Sequence, residues 1–204
     1  MRTILSRILF LFTLLFCLSI SAQNKSYKEG YIIQHNGDTI KGFVKDRSAE
    51  PFVTLYTKIR FKQDGSSRVK KYDADDILGY GFGENHFLSI PFREEQEMWI
   101  IRYYSDLGAP RKFLKVIQQS EELVYYEQLF VHDNNFYLDS IPFFHRPNAN
   151  QMVRVTQGIL GFKKKRLLEY FPECPHMVQA LSAKNSSTPD IVGLYEFYLE
   201  HCLQ

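Results

Sequence analysis

Two cysteines and two histidines near the carboxyl end, Cys174, His176, His201 and Cys202, make up the residue tally of a structural zinc site. Their spacing does not suit one. His201 and Cys202 are neighbours near a predicted helix end, where adjacent side chains diverge by about 100°. Neither pair has the gap of about two to five residues that zinc ligand pairs use. A second group could hold calcium: counted from Asp73, Asp75 stands third and Glu84 twelfth, as in an EF-hand. The fifth and sixth places are Ile77 and Leu78, where that loop needs a ligand and a glycine. Helix capping and solvated acid account better for these residues. Nucleophilic catalysis would show a serine or cysteine in a recognisable setting, and the chain has no G-x-S-x-G, H-E-x-x-H or phosphate-cradling glycine loop. His35, His86 and His145 read as turn or surface residues. The glycines of GYGFG, residues 79–83, lack the G-x-G-x-x-G order and read as a bend. No catalytic residue, metal or cofactor is expected.

The stretch HNGDTIKG, residues 35–42, looks like a loop holding an ion and reads instead as a hairpin. Asn36-Gly37 suits a two-residue type I′ turn, because both central residues there need positive φ. That turn sets Ile33 opposite Ile40 and Tyr31 opposite Gly42 on one face, with the tyrosine ring free to lie over the bare glycine. Ile32, Gln34, Thr39, Lys41 and Phe43 then form a wetter face.

The elements that carry these residues follow a leader. Arg2 and Arg7 precede an apolar run from Ile8 to Ile20, and Ala22 offers a small residue for cleavage, so residues 1–22 read as a signal peptide cut near Ala22. The run is shorter than the about 20 residues of a membrane helix, and no membrane span is expected in the mature chain. A lipoprotein signal through Cys17 is disfavoured because Phe16 precedes it. The leader holds two of the 25 basic residues and none of the 23 acidic ones, so the mature chain carries 23 of each and no net charge. A nucleic-acid binder would show a basic excess. The run Lys163 to Arg166 is the local exception and reads as a solvated helix face, with contact to an anionic envelope surface as the alternative. With Cys17 removed, Cys174 and Cys202 are left, and in an oxidising compartment a disulfide between them is the expectation. It would close a loop of about 29 residues and add roughly 3 to 4 kcal/mol.

Strands dominate the mature chain. After the first hairpin, residues 53–61 and 67–72 flank Asp64-Gly65-Ser66, a loop that would pair Phe61 with Val69. Asp73 can cap one helical turn through Ile77. Residues 97–104, 111–118, 122–131 and 134–138 read as four more strands between turn-rich stretches. Helices follow: residues 163–171, stopped by Pro172; a short one from Pro175 to about Leu181; and a last one capped by Thr188 with Pro189 in its first turn. In the last, Ile191, Leu194, Tyr195, Tyr198, Leu199 and Cys202 form an apolar stripe that suits docking on the sheet. The expected fold is α+β, an antiparallel β-sheet or partly open β-barrel of about seven to eight strands followed by C-terminal helices. The β-rich domain spans 23–141, a loop 142–158, and the helical segment 159–204.

The SAQ ending of the leader, GYIIQHNGDTIKGFV, YDADDILGYGF, FLKVI with LVYYEQ, and YFPECP with EFYLEHC together resemble a family of exported, uncharacterised proteins frequent in Bacteroidota. The resemblance covers most of the mature chain, its most specific piece being the GYI...NGDTIKG hairpin, and it implies envelope localisation and the pairing of Cys174 with Cys202. It supplies no activity. The expected protein is a periplasmic or outer-membrane-associated binding or scaffold module whose partner is an envelope protein, glycan or lipid. An exported hydrolase of unrecognised type is the alternative. A small outer-membrane barrel is disfavoured by charged strands such as RVKKY and by the terminus at Leu203-Gln204.

Overall fold

The computed structural model describes residues 27–47, 57–131, 138–158, 161–182 and 190–203. The signal segment, residues 53–56 of the second hairpin, most of the segment 134–138, and Thr188 with Pro189 lie outside the described residues.

Among the described residues, twelve antiparallel strands form one sheet, followed by three helices. In chain order they are β1 (Lys28–Ile33), β2 (Thr39–Lys45), β3 (Ile59–Gln63), β4 (Val69–Tyr72), β5 (Gly79–Phe82) and β6 (Asn85–Pro91), then β7 (Arg93–Glu97), β8 (Ile100–Tyr104), β9 (Arg111–Gln119), β10 (Val124–Val131), β11 (Leu138–His145) and β12 (Gln151–Arg154). The helices are α1 (Lys164–Tyr170), α2 (His176–Ser182) and α3 (Ile191–His201). Across the sheet the order is β4-β3-β2-β1-β5-β6-β9-β10-β11-β12-β8-β7, open at β4 and β7. The class is as expected, but the strand count of seven to eight is too low.

The extra strands are β5, β6, β7 and β12, and each hides its pattern for a physical reason. Strand β5 is GYGF, fully buried and paired on both sides, not a bend. Its glycines admit close neighbours: a Cβ on Gly79 would lie 2.5 Å from Phe87 O, and one on Gly81 2.7 Å from the Tyr31 ring. The bend comes only at Gly83, at φ 54°, which starts the two-residue turn into β6. Strand β7 is REEQE, without apolar alternation, and Met98-Trp99 is the tip between it and β8 rather than the start of the strand expected over 97–104. Pro142 to His145 belong to β11 and Gln151 to Arg154 to β12, so the expected loop over 142–158 is broken by strand. Pro142 fits there because its carbonyl accepts from Val155 N at 2.9 Å and no donor is asked of it.

The first hairpin is also one residue off the expected register. Gly37 N donates to Gln34 O and Gln34 N to Asp38 O, both at 2.9 Å, and Gly37 alone in this loop has positive φ, at 87°. This is a three-residue loop ending in a glycine bulge, not a type I′ turn. Asn36 works through its side chain instead, donating to Asp38 Oδ2 at 2.7 Å and accepting from Asp38 N at 3.0 Å. The longer loop pairs Ile32 with Ile40 and Ile33 with Thr39, and a one-residue slip exchanges faces. Ile32 is therefore fully buried, and Tyr31 covers Gly81 rather than Gly42. The second hairpin slips by one residue in the opposite sense, pairing Lys62 with Val69 and Phe61 with Lys70. The Asp73–Asp76 segment is a turn rather than a helix, closed by Asp73 N donating to Asp76 Oδ2 at 2.9 Å.

Three apolar clusters hold the sheet in shape. Ile32, Val44, Phe61, Tyr80, Phe87 and Phe113 pack on one face of the first half, and Tyr80 stacks on Phe87 with centroids 4.6 Å apart. On the opposite face of the later strands Phe92, Tyr103, Leu114, Tyr126, Phe143 and Met152 form a second cluster. Strands β6 and β7 are one continuous stretch broken only at Phe92, pairing first with β9 and then with β8, so this half rolls back around that cluster. The helices cover the remaining surface through Leu167, Phe171, Met177, Leu194, Tyr195 and Tyr198 against Tyr125, Phe144 and Val153. The apolar stripe of α3 faces the sheet as expected, with Glu196 and Glu200 exposed. Its cap is Asp190 rather than Thr188, accepting from Gly193 N at 2.7 Å.

Candidate ligand-binding cleft

A half-open cleft of about 450 Å³ is lined by residues of β1, β2, β5, β6, β9, β10 and β11. Strand alternation builds its wall. Phe87 on β6 lies directly opposite Lys115 on β9, so both point the same way. Val44 at the end of β2, Phe82 at the end of β5, Leu129 on β10 and Leu138 opening β11 complete an apolar lining. Lys28 and Lys45 stand at its margin with Asp46 and Asn85, and Lys28 Nζ lies 5.1 Å from the centroid of the Phe82 ring.

Behind this wall is a charged cluster that the sequence did not mark. Asp46 Oδ1 accepts from Tyr80 OH at 2.5 Å and from Arg47 N at 2.7 Å. Burial holds the Tyr80 hydroxyl well above its ordinary pKa, with Arg47 opposing and Asp46 reinforcing that shift, so Tyr80 stays a donor. The Arg47 side chain is 9% exposed and lies over the Phe87 and Phe113 rings, at 5.3 and 5.8 Å. Its Nη1 donates to Phe113 O at 3.2 Å, tying the end of β2 to β9. Among the described residues, Arg47 Nε and Nη2 are buried nitrogens without a hydrogen-bond partner, Nε standing 3.6 Å from Asp46 Oδ1. A buried cation with unused donors carries a desolvation cost that Asp46 offsets only in part.

A smaller cleft of about 100 Å³ lies between β8, β12 and α1. It explains half of the basic run: Lys164 and Lys165 are exposed as expected, whereas Lys163 and Arg166 line this cleft with Arg154. Burial, then repulsion from Arg154 and Arg166, lowers the Lys163 pKa. Arg166 and Arg154 are already engaged, with Glu169 at 2.5 Å and with Thr156 O at 2.8 Å.

The residues first considered for chemistry are dispersed. Cys174 and Cys202 are bonded to each other, with Cα atoms 5.0 Å apart, while His201 stacks on Phe197 at 4.4 Å and is exposed. Asp73 pairs with Lys58 at 2.9 Å, and that partner holds its carboxyl below the ordinary pKa, whereas Glu84 is exposed in the β5–β6 turn. His35 Nε2 bonds Asp75 O at 2.8 Å and His86 Nδ1 bonds Tyr31 OH at 2.7 Å, so both serve structure. His145 departs from expectation: it is buried, donates Nε2–H to Ala149 O at 2.9 Å, and burial lowers its pKa. What could have pointed to the cleft in the sequence is Lys45-Asp46-Arg47, a cluster of ions at the end of a strand. Among the described residues no group of three or more histidine, cysteine or acidic side chains could hold a metal ion, and no helix is long and apolar enough to cross a membrane. No protein-family description matches the chain, and comparison with curated proteins and with solved structures found no match.

Proposed function

We propose that this is an exported protein of the cell envelope, periplasmic or outer-membrane-associated, that binds a small molecule and leaves it chemically unchanged. The observation that carries the reading is the cleft of about 450 Å³ walled by Val44, Phe82, Phe87 and Leu129. Its size falls within the range of about 300–1,000 Å³ typical of small-molecule sites, and an apolar wall with a few charged groups at its margin is their usual composition. The signal-like start and a Cys174–Cys202 disulfide favour an oxidising compartment.

Mass spectrometry of molecules released by denaturing the protein purified from envelope extract tests this. A single species recovered in proportion to protein, and lost in a Leu129→Trp variant that melts like the parent, supports the reading. Equal recovery from the variant contradicts it, and catalytic turnover of the bound species would favour the hydrolase instead.

A further inference from the structure

We infer that the cleft takes a single-chain amphiphile with one anionic head group, a carboxylate or a phosphate, its head among Lys28, Lys45 and Lys115 and its body against Phe82, Phe87 and Leu129. This rests on the binding reading above and names the ligand class for the same site.

Five features of the site converge on that chemistry. The lining is mainly apolar: Val44, Phe82 and Phe87 are buried in the wall, and a bare ion would leave half-buried Leu129 and exposed Leu138 facing water. Among the described residues the charged groups of the lining are three lysines and one aspartate, and Asp46 is already committed through Oδ1 to Tyr80 OH and Arg47 N. Behind the Phe87 ring stands Arg47, a further positive charge held at low solvent exposure, where its field is poorly screened. Among the described residues, three lining lysines and the adjacent Arg47 face one carboxylate, a balance that favours an anion. Among the described residues Asn85 is the neutral polar side chain of the lining, which is few hydrogen-bonding groups for a sugar, whose hydroxyls each need a partner on leaving water. Lys28 Nζ over the Phe82 ring places a cation and an apolar surface side by side, matching a molecule in which head and chain are adjacent.

Calorimetric titration of the processed, oxidised chain with dodecanoate, dodecyl phosphate, dodecanol and inorganic phosphate, all below micelle-forming concentration, tests the inference. One molecule of either chain anion binds per protein, at least about tenfold tighter than dodecanol, and inorganic phosphate gives no heat. Whichever chain anion binds more tightly separates a fatty-acid head from a lipid-phosphate head. Lys115→Gln, a half-buried position outside the apolar clusters, weakens both anions several-fold and flattens their salt dependence while leaving dodecanol unchanged. Dodecanol binding as tightly as dodecanoate, with Lys115→Gln silent, overturns the anionic head but leaves the binding reading standing. Binding of inorganic phosphate alone overturns the amphiphile. A Leu129→Trp variant that melts like the parent and binds all chain compounds equally well removes the cleft, and the binding reading with it.

Discussion

Replacing Cys202 by serine isolates the contribution of the disulfide. Cys202 is half-buried at the end of α3, whereas Cys174 is 2% exposed among the apolar residues under the helices, so the change at 202 disturbs packing less. The two cysteines are 28 residues apart and the bond closes a loop that carries both α2 and α3. For a loop of that length the chain-entropy relation gives about 3.6 kcal/mol at room temperature, released when the unfolded chain is freed. For a chain of this size about 2–4 °C of melting temperature corresponds to each kcal/mol, so the variant should melt about 7–14 °C below the parent under oxidising conditions. Scanning calorimetry of both proteins with and without reductant measures it. Reduced parent and variant should melt together, since Tyr195 and Tyr198 still pack against Leu123 and Phe171 without the bond. Equal melting of oxidised parent and variant would refute the reasoning.

Two further perturbations bear on the fold. His145 is buried with a lowered pKa, so the unfolded chain takes up a proton near pH 6.5 before the folded chain does. Stability should fall as pH drops below about 6.5, and His145→Gln, whose amide can still donate to Ala149 O, should remove that slope in urea unfolding followed from pH 8 to pH 5. Gly79→Ala should cost about 1–3 kcal/mol because its Cβ would meet the Phe87 carbonyl at 2.5 Å inside a strand paired on both sides. Gly108→Ala, whose Cβ approaches only Asp106 Oδ1 at 3.9 Å, should stay within about 0.5 kcal/mol on the same measurement.

Much of the fold was legible where side-chain pattern and backbone agreed. The α3 stripe could be read because 3.6-residue spacing places Leu194, Tyr195 and Tyr198 on one face, and the cores of β9 and β10 because β-branched and aromatic residues crowd them. Strand β5 could not be read this way, since Gly79 and Gly81 are selected by close neighbours across the sheet rather than by alternation. Strand β7 was hidden for the opposite reason: at an edge of the sheet its acids pair with cations of neighbouring strands, Glu97 with Arg102 of β8 at 3.1 Å and Glu94 with Lys112 of β9 at 3.7 Å, so no apolar face is needed. In the first hairpin Asn36-Gly37 announced a turn correctly, but whether two or three residues lie between the strands depends on which isoleucine the core accepts, and Ile32 was the one accepted. The cleft was illegible because Val44, Phe87, Lys115 and Leu129 are scattered along the chain and meet only when the sheet forms.

Photolabelling locates the ligand most directly. A dodecanoate analogue with a photoreactive diazirine near its tail, irradiated on the oxidised chain, should attach saturably to peptides carrying Val44, Phe82, Phe87 or Leu129 and be competed away by dodecanoate. Attachment confined to the exposed Met98-Trp99 tip, or attachment that excess dodecanoate does not reduce, would contradict the account.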